Sequence, residues 1–382
     1  MFVTIVLDGV GTGAQPDAEA YGDAGSHTLG HVCAAERPAL PNLARLGLGC
    51  IAPLDGVPAT NAPTASFGRM TEISAGKDST TGHWELAGLH VATPFPTYPD
   101  GFPPEVVERF LDATGGGGIL ANEPASGTAV IEAFGPEHER TGHPIVYTSG
   151  DSVFQIAVHT DVIPLERLYE LCRIAREEVC VGEHAVGRVI ARPFTGTAGA
   201  YERIAAKRKD YSLKPSGTTL QEALQAAGVR TVAVGKIGDL FGNVGFDEIL
   251  KTTSNEEGVA RTLDAMRSGD DRTFIWTNLV DFDQLYGHRN DAPGFARALE
   301  AFDRALPEIL AALPDGGRLL LTADHGNDPC FPGTDHTREH VPILLVGGEP
   351  RDLGTCTTFA DHAATVAAHF GVAFESGGRS FR

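Results

Sequence analysis

A short segment late in the chain combines one aspartate and two histidines directly after an apolar run. Asp324 and His325 follow the three leucines at 319–321, and His336 comes a few residues later. Carboxylate and imidazole side chains at the end of a buried strand are typical ligands of a divalent metal ion. An ordinary polar loop is the less favoured interpretation of this segment.

Two further apolar runs end in ligands of the same kind. Asp283 and His288 follow the run at 274–280, and Asp8 ends the first run, at 2–7. Two metal ions need about six ligands, and the three clusters together supply that number, so the sequence predicts a two-metal enzyme. Asp281 is an alternative ligand to Asp283, or an acid that orients a histidine. We favour Asp283 as the ligand.

Residues 76–85, Gly-Lys-Asp-Ser-Thr-Thr-Gly-His-Trp-Glu, are the candidate nucleophile segment. The hydroxyls of Ser79, Thr80 and Thr81 lie in a glycine-flanked turn ahead of a helical pattern. A hydroxyl becomes a good nucleophile only when a base or a metal lowers its pKa. A helix N-terminus at this point would also favour a phosphate. The structural alternative is an N-capping box, a hydroxyl followed by a glutamate.

The apolar runs predict strands that are buried on both faces, hence a largely parallel sheet. These runs are 2–7, 231–234, 274–280, 319–321 and 341–346. Patterns with helical spacing alternate with them, at 220–227, 295–306 and 359–370. In such sheets, ligands bind beyond the carboxyl ends of the strands, where the candidate aspartates stand. The predicted fold class is therefore α/β.

The middle of the chain has a different character. It opens with prolines between 94 and 104, contains four consecutive glycines at 115–118, and closes in a basic stretch at 203–214. It carries no cluster of the metal-binding type. We expect an inserted cap domain at 96–215, with a catalytic core at 1–95 and 216–382.

The composition limits which classes of binding partner and which cellular location are expected for this chain. The net charge of −20 argues against nucleic acid or an anionic membrane as the main partner, but it allows a phosphorylated small molecule beside metal ions. Six scattered cysteines favour a reduced, cytoplasmic protein. The N-terminal run reads as a strand and not a signal peptide, and no apolar run approaches the ~20 residues of a membrane span. The sequence gives no oligomeric state.

The sequence resembles the phosphopentomutases of the alkaline phosphatase superfamily, in motifs spread over nearly the whole chain. The most specific are the segment at 76–85 and Tyr-Thr-Ser-Gly-Asp-Ser-Val at 147–153. Others are Asp-Gly-Val-Gly-Thr-Gly at 8–13, Gly-Arg-Val-Ile-Ala-Arg-Pro-Phe at 187–194 and Thr-Ala-Asp-His-Gly-Asn-Asp-Pro at 322–329. The resemblance implies an alkaline-phosphatase-like core, a mostly parallel sheet sandwiched by helices, with an inserted α+β cap.

The resemblance also implies a site with two manganese ions. One ion would take Asp8, Asp324 and His325, and the other Asp283, His288 and His336. The nucleophile of the family directly follows Lys-Asp, which places it at Ser79. The family carries threonine there, so this chain departs from the pattern and Thr80 stays an alternative. Ligands of the His and Asp types also suit zinc.

The resemblance further implies contacts to a sugar phosphate. These are Asp151, Val153, Arg188, Ile190 and Arg203 or Arg208 in the cap, with Lys236 from the core. The implied reaction interconverts ribose 1-phosphate, or its 2-deoxy form, with the 5-phosphate. It runs through a phosphoserine and a bisphosphate, with ribose or glucose bisphosphate as activator, in nucleoside catabolism.

Two rival functions are open. One is a metal-dependent phosphomonoester hydrolase, or another mutase of the superfamily, on the same core. The other is a binding or structural protein with an inert metal site. The cap segment at 147–157 favours the mutase, because a hydrolase has no need for it.

Overall fold

The computed structural model describes residues 1–149 and 152–381, which form two compact units. The core unit comprises Met1–Thr93 and Pro215–Arg382, and the cap unit comprises Pro94–Lys214. The sequence had suggested boundaries at 95–96 and 215–216. A helix with the length and apolar character needed to cross a membrane does not occur among the described residues.

An eight-stranded sheet organises the core unit. In spatial order its strands are β10 (Glu248–Leu250), β9 (Arg230–Val234), β11 (Thr273–Leu279), β1 (Phe2–Leu7), β12 (Arg318–Thr322), β13 (Val341–Val346), β2 (Ser66–Met70) and β14 (Asp352–Cys356). The strands from β10 to β12 all run parallel, whereas β13 runs antiparallel to both β12 and β2. Every residue of β1 and β11 is buried, as expected for central strands covered on both faces.

Helices pack around this sheet in groups. They are α1 (Thr28–Glu36), α2 (Pro41–Leu46), α3 (Leu48–Ile51), α4 (Ser79–Leu86), α8 (Leu220–Ala226), α9 (Ile237–Leu240), α10 (Asn255–Ser268), α11 (Ala292–Ala312) and α12 (Ala360–Phe370). One group packs α1, α2 and α10 against α11, and another packs α4 and α8 against α12. The α/β fold class is thereby confirmed.

The strand β13 differs from the expectation of a parallel sheet. Its apolar run predicted one more buried strand, and it is indeed buried along nearly its whole length. Burial on both faces gives the same continuous apolar pattern in either direction, so the pattern could not report the strand's direction. The reversal matters for function because β13 begins at the edge where its parallel neighbours end.

The cap unit has its own sheet and its own core. Its strands are β3 (Leu120–Pro124), β4 (Ile145–Thr148), β5 (Val153–His159), β6 (Arg188–Thr195), β7 (Glu202–Arg203) and β8 (Lys209–Ser212), with helices α5 (Pro104–Thr114), α6 (Gly127–Thr141) and α7 (Leu165–Ile174). Parallel and antiparallel pairs alternate from β3 to β7, and β8 also pairs with β6. Side chains alternate between the two faces of a strand. Accordingly Val146 joins the apolar cluster with α5 and α7, whereas Ile145 and Tyr147 join the cluster with α6.

The cysteines are all free thiols. Cys33, Cys172 and Cys180 are buried, whereas Cys330 is exposed. It lies in the loop between Asp324 and His336, outside any strand or helix.

Candidate active site

The carboxyl ends of adjacent parallel strands bring charged side chains to one edge of the core sheet. Asp8 follows β1, Asp324 follows β12 and Lys236 follows β9, while Asp283 lies in a turn of π-helix after β11. Because β13 runs the other way, the segment before it, with His336, returns to the same edge. The topology thus collects residues that are far apart in the sequence.

Two groups of three potential metal ligands form at this edge. One contains Asp8, Asp324 and His325, and the other contains Asp283, His325 and His336. Within each group the ligand atoms all lie within 4.8 Å of one another, and every member is buried. His325 belongs to both groups, and its ring centroid is 4.0 Å from that of His336. The two groups are therefore immediate neighbours.

His288 stands beside the second group. Its Nε2 is 3.4 Å from Asp283 Oδ2, and its ring centroid is 4.7 Å from that of His336. Its Nδ1 donates to the carbonyl of Thr334 at 2.7 Å, which directs Nε2 toward Asp283. The Nδ1 of His325 likewise donates to the carbonyl of Gly326, at 3.1 Å. A carbonyl on Nδ1 fixes the tautomer that leaves Nε2 free to bind a metal.

Asp281 has a different partner. Its Oδ2 accepts a hydrogen bond from the backbone N–H of Asn255 at 2.7 Å, and its own N–H donates to Asn255 Oδ1 at 2.9 Å. Asn255 is the first residue of α10, so this carboxylate holds a helix N-terminus. It belongs to neither group of ligands that the described residues form.

The buried charges of the site depend strongly on one another. Burial alone would raise the pKa of Asp283 and Asp324, but the neighbouring histidines hold both pKa values well below their usual range. Burial would lower the pKa of His325, yet Asp324 and Asp8 keep that pKa well above its usual value. The pKa of Lys236 is raised by Asp8, Asp283 and Asp324 against the effect of burial. The raised pKa values of His325 and Lys236 show that the carboxylates favour positive charge at this edge.

The donor set fits divalent metal ions. Asp8 Oδ1, Asp324 Oδ2 and His336 Nε2 are buried and make no hydrogen bond to any of the described residues. Their contacts are limited to ion-pair distances of 3.1–3.4 Å between histidine nitrogens and carboxylate oxygens. Burying atoms without a hydrogen bond is costly, and a coordinated cation would satisfy all of them. Mixed carboxylate and imidazole ligands suit zinc, manganese and related ions.

Ser79 lies where the ligand groups meet. Its Oγ is 3.1 Å from His325 Nε2 and accepts a hydrogen bond from Lys236 Nζ at 2.8 Å. Lys236 also pairs with Asp8. The Thr81 hydroxyl instead donates to Asp78 Oδ2 at 2.6 Å. Of these two hydroxyls, the one on Ser79 therefore faces the candidate ligands.

The start of α4 differs from the capping box that was the structural alternative for this segment. The N-cap is Asp78, whose Oδ1 accepts from the backbone N–H groups of Thr80 at 2.9 Å and Thr81 at 3.1 Å. These two donors are consequently already used within the helix cap. Glu85 is occupied elsewhere, since it accepts from the backbone N–H groups of Ile73 and Ser74.

His83 connects the nucleophile segment to a candidate ligand. It is fully buried, and its Nδ1 lies 2.8 Å from the carbonyl of Ser79 and 3.1 Å from Asp324 Oδ2. Sequence reasoning gave it no role. The signal was its position four residues after Ser79, which places the two on one face of a helix.

A buried arginine holds the loop that leads to Ser79. Arg338 donates from Nη1 to Glu72 Oε2 at 2.9 Å and to the backbone carbonyl of Ser74 at 2.8 Å. Lys77, just before the nucleophile segment's Asp78, donates to both oxygens of Asp23. The Arg338 N–H donates to Asp23 Oδ2 at 2.8 Å, which joins the two contacts into one network. Neither residue was predicted, because nothing in their spacing indicated their partners.

The predicted sugar-phosphate residues of the cap lie around β6. Val153 pairs with Arg188 and Ile190 pairs with Asp210 in the sheet register, and Val153 and Ile190 are buried. Arg208 binds Asp210 through two hydrogen bonds of 2.8 and 2.7 Å, and Arg188 Nη1 is 3.5 Å from the same carboxylate. Arg203 lies on β7. Asp151 was also predicted, but it is outside the described residues.

Comparisons with known proteins show similarity along nearly the whole chain. A family model described as the metalloenzyme superfamily matches residues 1–374. A phosphopentomutase of Caldanaerobacter subterraneus is 52% identical to this chain, over 99% of the chain and 96% of that protein. A phosphopentomutase of Deinococcus radiodurans is 53% identical, over 99% of the chain and 97% of that protein. A solved structure from Pyrococcus horikoshii shares the fold, with a TM-score of 0.50 at 15% identity over 98% of each chain.

The close packing of α4 on the end of β12 can be tested at Gly82. A Cβ added at this residue would lie 2.0 Å from the Asp324 carbonyl oxygen. We expect Gly82→Ala to push α4 away from the end of β12 and to lower stability by about 1–3 kcal/mol. It should also reduce metal binding, because the added methyl group presses on the backbone of the candidate ligand Asp324. Thermal unfolding and bound metal per chain measure the two effects.

Gly258→Ala is the matched control for this variant. It adds the same methyl group to another helix, where the nearest atom, at 2.6 Å, is the flexible end of the Leu279 side chain. Alanine has the higher helix propensity, so this control should keep its stability and its metal. A Gly82→Ala protein with the parent's melting temperature and metal content would contradict the packing argument.

Proposed function

Because the chain belongs to the metalloenzyme superfamily and, within it, to the phosphopentomutases, we propose that it moves a phosphoryl group between O1 and O5 of ribose. The substrates are ribose 1-phosphate and ribose 5-phosphate, or their 2-deoxy forms. The observation that carries this proposal is Ser79 Oγ, in contact with both Lys236 and His325 at the junction of two ligand groups.

The metal site is proposed to hold two divalent ions, with manganese as the first candidate. One ion would be held by Asp8, Asp324 and His325. The other would be held by Asp283, His288 and His336. When bound, such ions polarise phosphoryl oxygens, lower the pKa of a hydroxyl and neutralise the charge of the transition state. The unpartnered buried oxygens and the imidazole nitrogen support this assignment.

Ser79 is proposed to carry the phosphoryl group between turnovers. In the first step the Ser79 Oγ–P bond breaks, and the free hydroxyl oxygen of a sugar monophosphate forms a new O–P bond. The proton of that hydroxyl ends on Ser79 Oγ, and the product is a pentose bisphosphate. In the second step the O–P bond of the other phosphate breaks and a new Ser79 Oγ–P bond forms. The proton on Ser79 Oγ passes to the freed sugar oxygen, which gives the isomeric monophosphate. No group is gained or lost overall.

Lys236 is proposed to stabilise the serine oxygen in both steps. Its Nζ lies 2.8 Å from Ser79 Oγ, and its raised pKa keeps it charged. An ammonium group at hydrogen-bond distance lowers the cost of negative charge on Oγ when the Oγ–P bond breaks. His83 keeps the Ser79 backbone and Asp324 in fixed positions at the same time.

A bisphosphate of ribose or glucose is proposed as the activator, since it can phosphorylate an empty Ser79. The cap residues Val153, Arg188, Ile190, Arg203 and Arg208 are proposed to contact the sugar phosphate. Asp151, the cytoplasmic location and the role in nucleoside catabolism stay predictions.

A direct assay separates the mutase from the hydrolase reading. We expect the protein with manganese and a trace of glucose 1,6-bisphosphate to convert ribose 1-phosphate into ribose 5-phosphate. Inorganic phosphate should stay a minor product, because transfer to a positioned hydroxyl competes well with water at roughly 55 M. Both products are measured in one time course. Stoichiometric phosphate without ribose 5-phosphate would identify a hydrolase instead, and no product of either kind would indicate an inert site.

Metal binding should depend on the buried ligands. Asp324→Ala and His336→Ala each remove a member of one ligand group, so we expect each variant to lose bound metal and turnover while its fold is retained. Circular dichroism checks the fold, and elemental analysis counts the metal. His90→Ala, which alters an exposed histidine of the core outside both groups, is the control. Full metal occupancy in Asp324→Ala or His336→Ala would reject the assignment of that ligand.

A further inference from the structure

One buried asparagine lies between the two groups of candidate ligands. Asn327 comes two positions after His325, and only 1% of its surface is exposed. Its side-chain Nδ2 donates to Asp283 Oδ1 at 2.7 Å, and its backbone N–H donates to the carbonyl of Gly9 at 2.8 Å. Gly9 directly follows the candidate ligand Asp8. Asn327 therefore joins the end of β1, which carries one ligand group, to the carboxylate of the other group.

The Asp283 carboxylate needs a support of this kind. Rotation about the last side-chain torsion of an aspartate is soft, so the plane of the carboxylate is fixed only by what it contacts. Here Oδ1 lies 3.3 Å from His336 Nε2, and Oδ2 lies 3.4 Å from His288 Nε2. Both nitrogens are candidate ligands, and a nitrogen that binds a metal ion can no longer donate to Asp283. Among the described residues, the Asn327 amide is then the donor that holds this carboxylate.

Close packing fixes the Asn327 amide in turn. A Cβ added at Gly287 would lie 2.5 Å from the amide carbon of Asn327 and 2.7 Å from its Nδ2. A Cβ added at Gly9 would lie 3.0 Å from Asn327 Cβ. Glycine at both positions lets the asparagine fit between the segments that follow β1 and β11. The side chain consequently has little room to rotate away from Asp283.

The first ligand group has an equivalent support from the backbone. The N–H of Gly9 donates to Asp324 Oδ1 at 3.2 Å, while Asp324 Oδ2 is buried and makes no hydrogen bond to a described residue. One oxygen is thus held by an N–H, and the other is left for a cation. At Asp283 the donor comes from a side chain, that of Asn327.

We propose that Asn327 is a positioning residue for the second metal ion. Its amide fixes the rotation of the Asp283 carboxylate, with one oxygen beside His336 and the other beside His288. Through its bond to Gly9 it also sets the spacing of the two ligand groups. Loss of a residue that hydrogen bonds to a metal ligand typically lowers metal affinity by about 10–100-fold. That two ions are held by these ligands rests on the proposed function.

Stepwise manganese binding to the metal-free, full-length protein tests this role. We expect Asn327→Ala to bind the first ion as the parent does and the second ion about 10–100-fold more weakly, because Asp283 is free to rotate. Calorimetric titration resolves the two affinities. Electron paramagnetic resonance adds a spectroscopic signature, because neighbouring manganese ions couple. At two equivalents of manganese the parent should show the coupled signal, and the variant mainly the signal of isolated ions.

Asn42→Ala is the matched control. Asn42 Nδ2 also donates to a buried aspartate of the core unit, at 3.0 Å from Asp303 Oδ2. Both variants remove an amide donor from a buried carboxylate, so both should lower the melting temperature. Only Asn327→Ala should weaken the second ion. If both variants bind two ions as the parent does, Asn327 is merely structural and the proposal is overturned.

A second variant displaces the amide without removing it. Gly287→Ala should also weaken the second ion, since its Cβ would occupy the position of the Asn327 amide. In the double variant with Asn327→Ala the added methyl group meets no amide. That protein should regain melting temperature relative to Gly287→Ala but should still bind the second ion weakly. Recovery of parent affinity for the second ion in the double variant would overturn the proposal.

The outcomes separate this role from the proposed reaction. A weakened second ion in Asn327→Ala, when the parent does not interconvert pentose phosphates, would keep the role and overturn the reaction. Normal mutase turnover by the parent, with both ions bound equally well by parent and Asn327→Ala, would overturn the role alone. A parent that binds only one manganese ion per chain would overturn the role together with the two-ion assignment.

Discussion

Three carboxylates buried at one edge of the core sheet must be balanced by positive charge. Asp8 and Asp324 have no exposed surface and Asp283 has little, so water cannot screen them. The protein supplies part of the balance with Lys236 and with His325, whose pKa the carboxylates raise. Coordinated cations complete it. Phosphoryl transfer requires such cations. The buried carboxylates therefore explain both why cations bind at this edge and why phosphoryl transfer could occur there.

The surrounding structure keeps Ser79, the proposed nucleophile, close to that edge. His83 contacts both the Ser79 carbonyl and Asp324. The close approach of Gly82 to the Asp324 backbone fixes the distance between α4 and the end of β12. Arg338 and Lys77 hold the preceding loop from two sides. Catalysis by positioned groups depends on such supports, because small displacements of a nucleophile are costly. The antiparallel β13 completes the arrangement by returning His336 to the edge.

Some parts of this arrangement could be predicted from the sequence, and others could not. Asp8 and Asp324 were predictable because each directly follows an apolar run, and the carboxyl ends of parallel strands meet at one edge. The spacing of residues could not decide between Asp281 and Asp283 as the ligand. The choice depends on the turn of π-helix, which directs the Asp281 carboxylate to α10 and the Asp283 carboxylate to the site. The direction of β13 was hidden by its burial on both faces.

The contacts that join distant segments were beyond sequence reasoning. Arg338 meets Glu72 across 266 positions of the chain, and no pattern in a single sequence pairs them. The contact between Asn327 and Asp283 is of the same kind, because it depends on how the segments after β12 and β11 meet. The resemblance to a family did locate Ser79 and Lys236, whose contact the structure shows.

The central claim is that this Ser79 oxygen accepts the phosphoryl group. Its most direct test is peptide mapping of the protein after incubation with manganese and glucose 1,6-bisphosphate. The account predicts one phosphoryl group, on Ser79, and a phosphoryl group on Thr80 with Ser79 unmodified would contradict it.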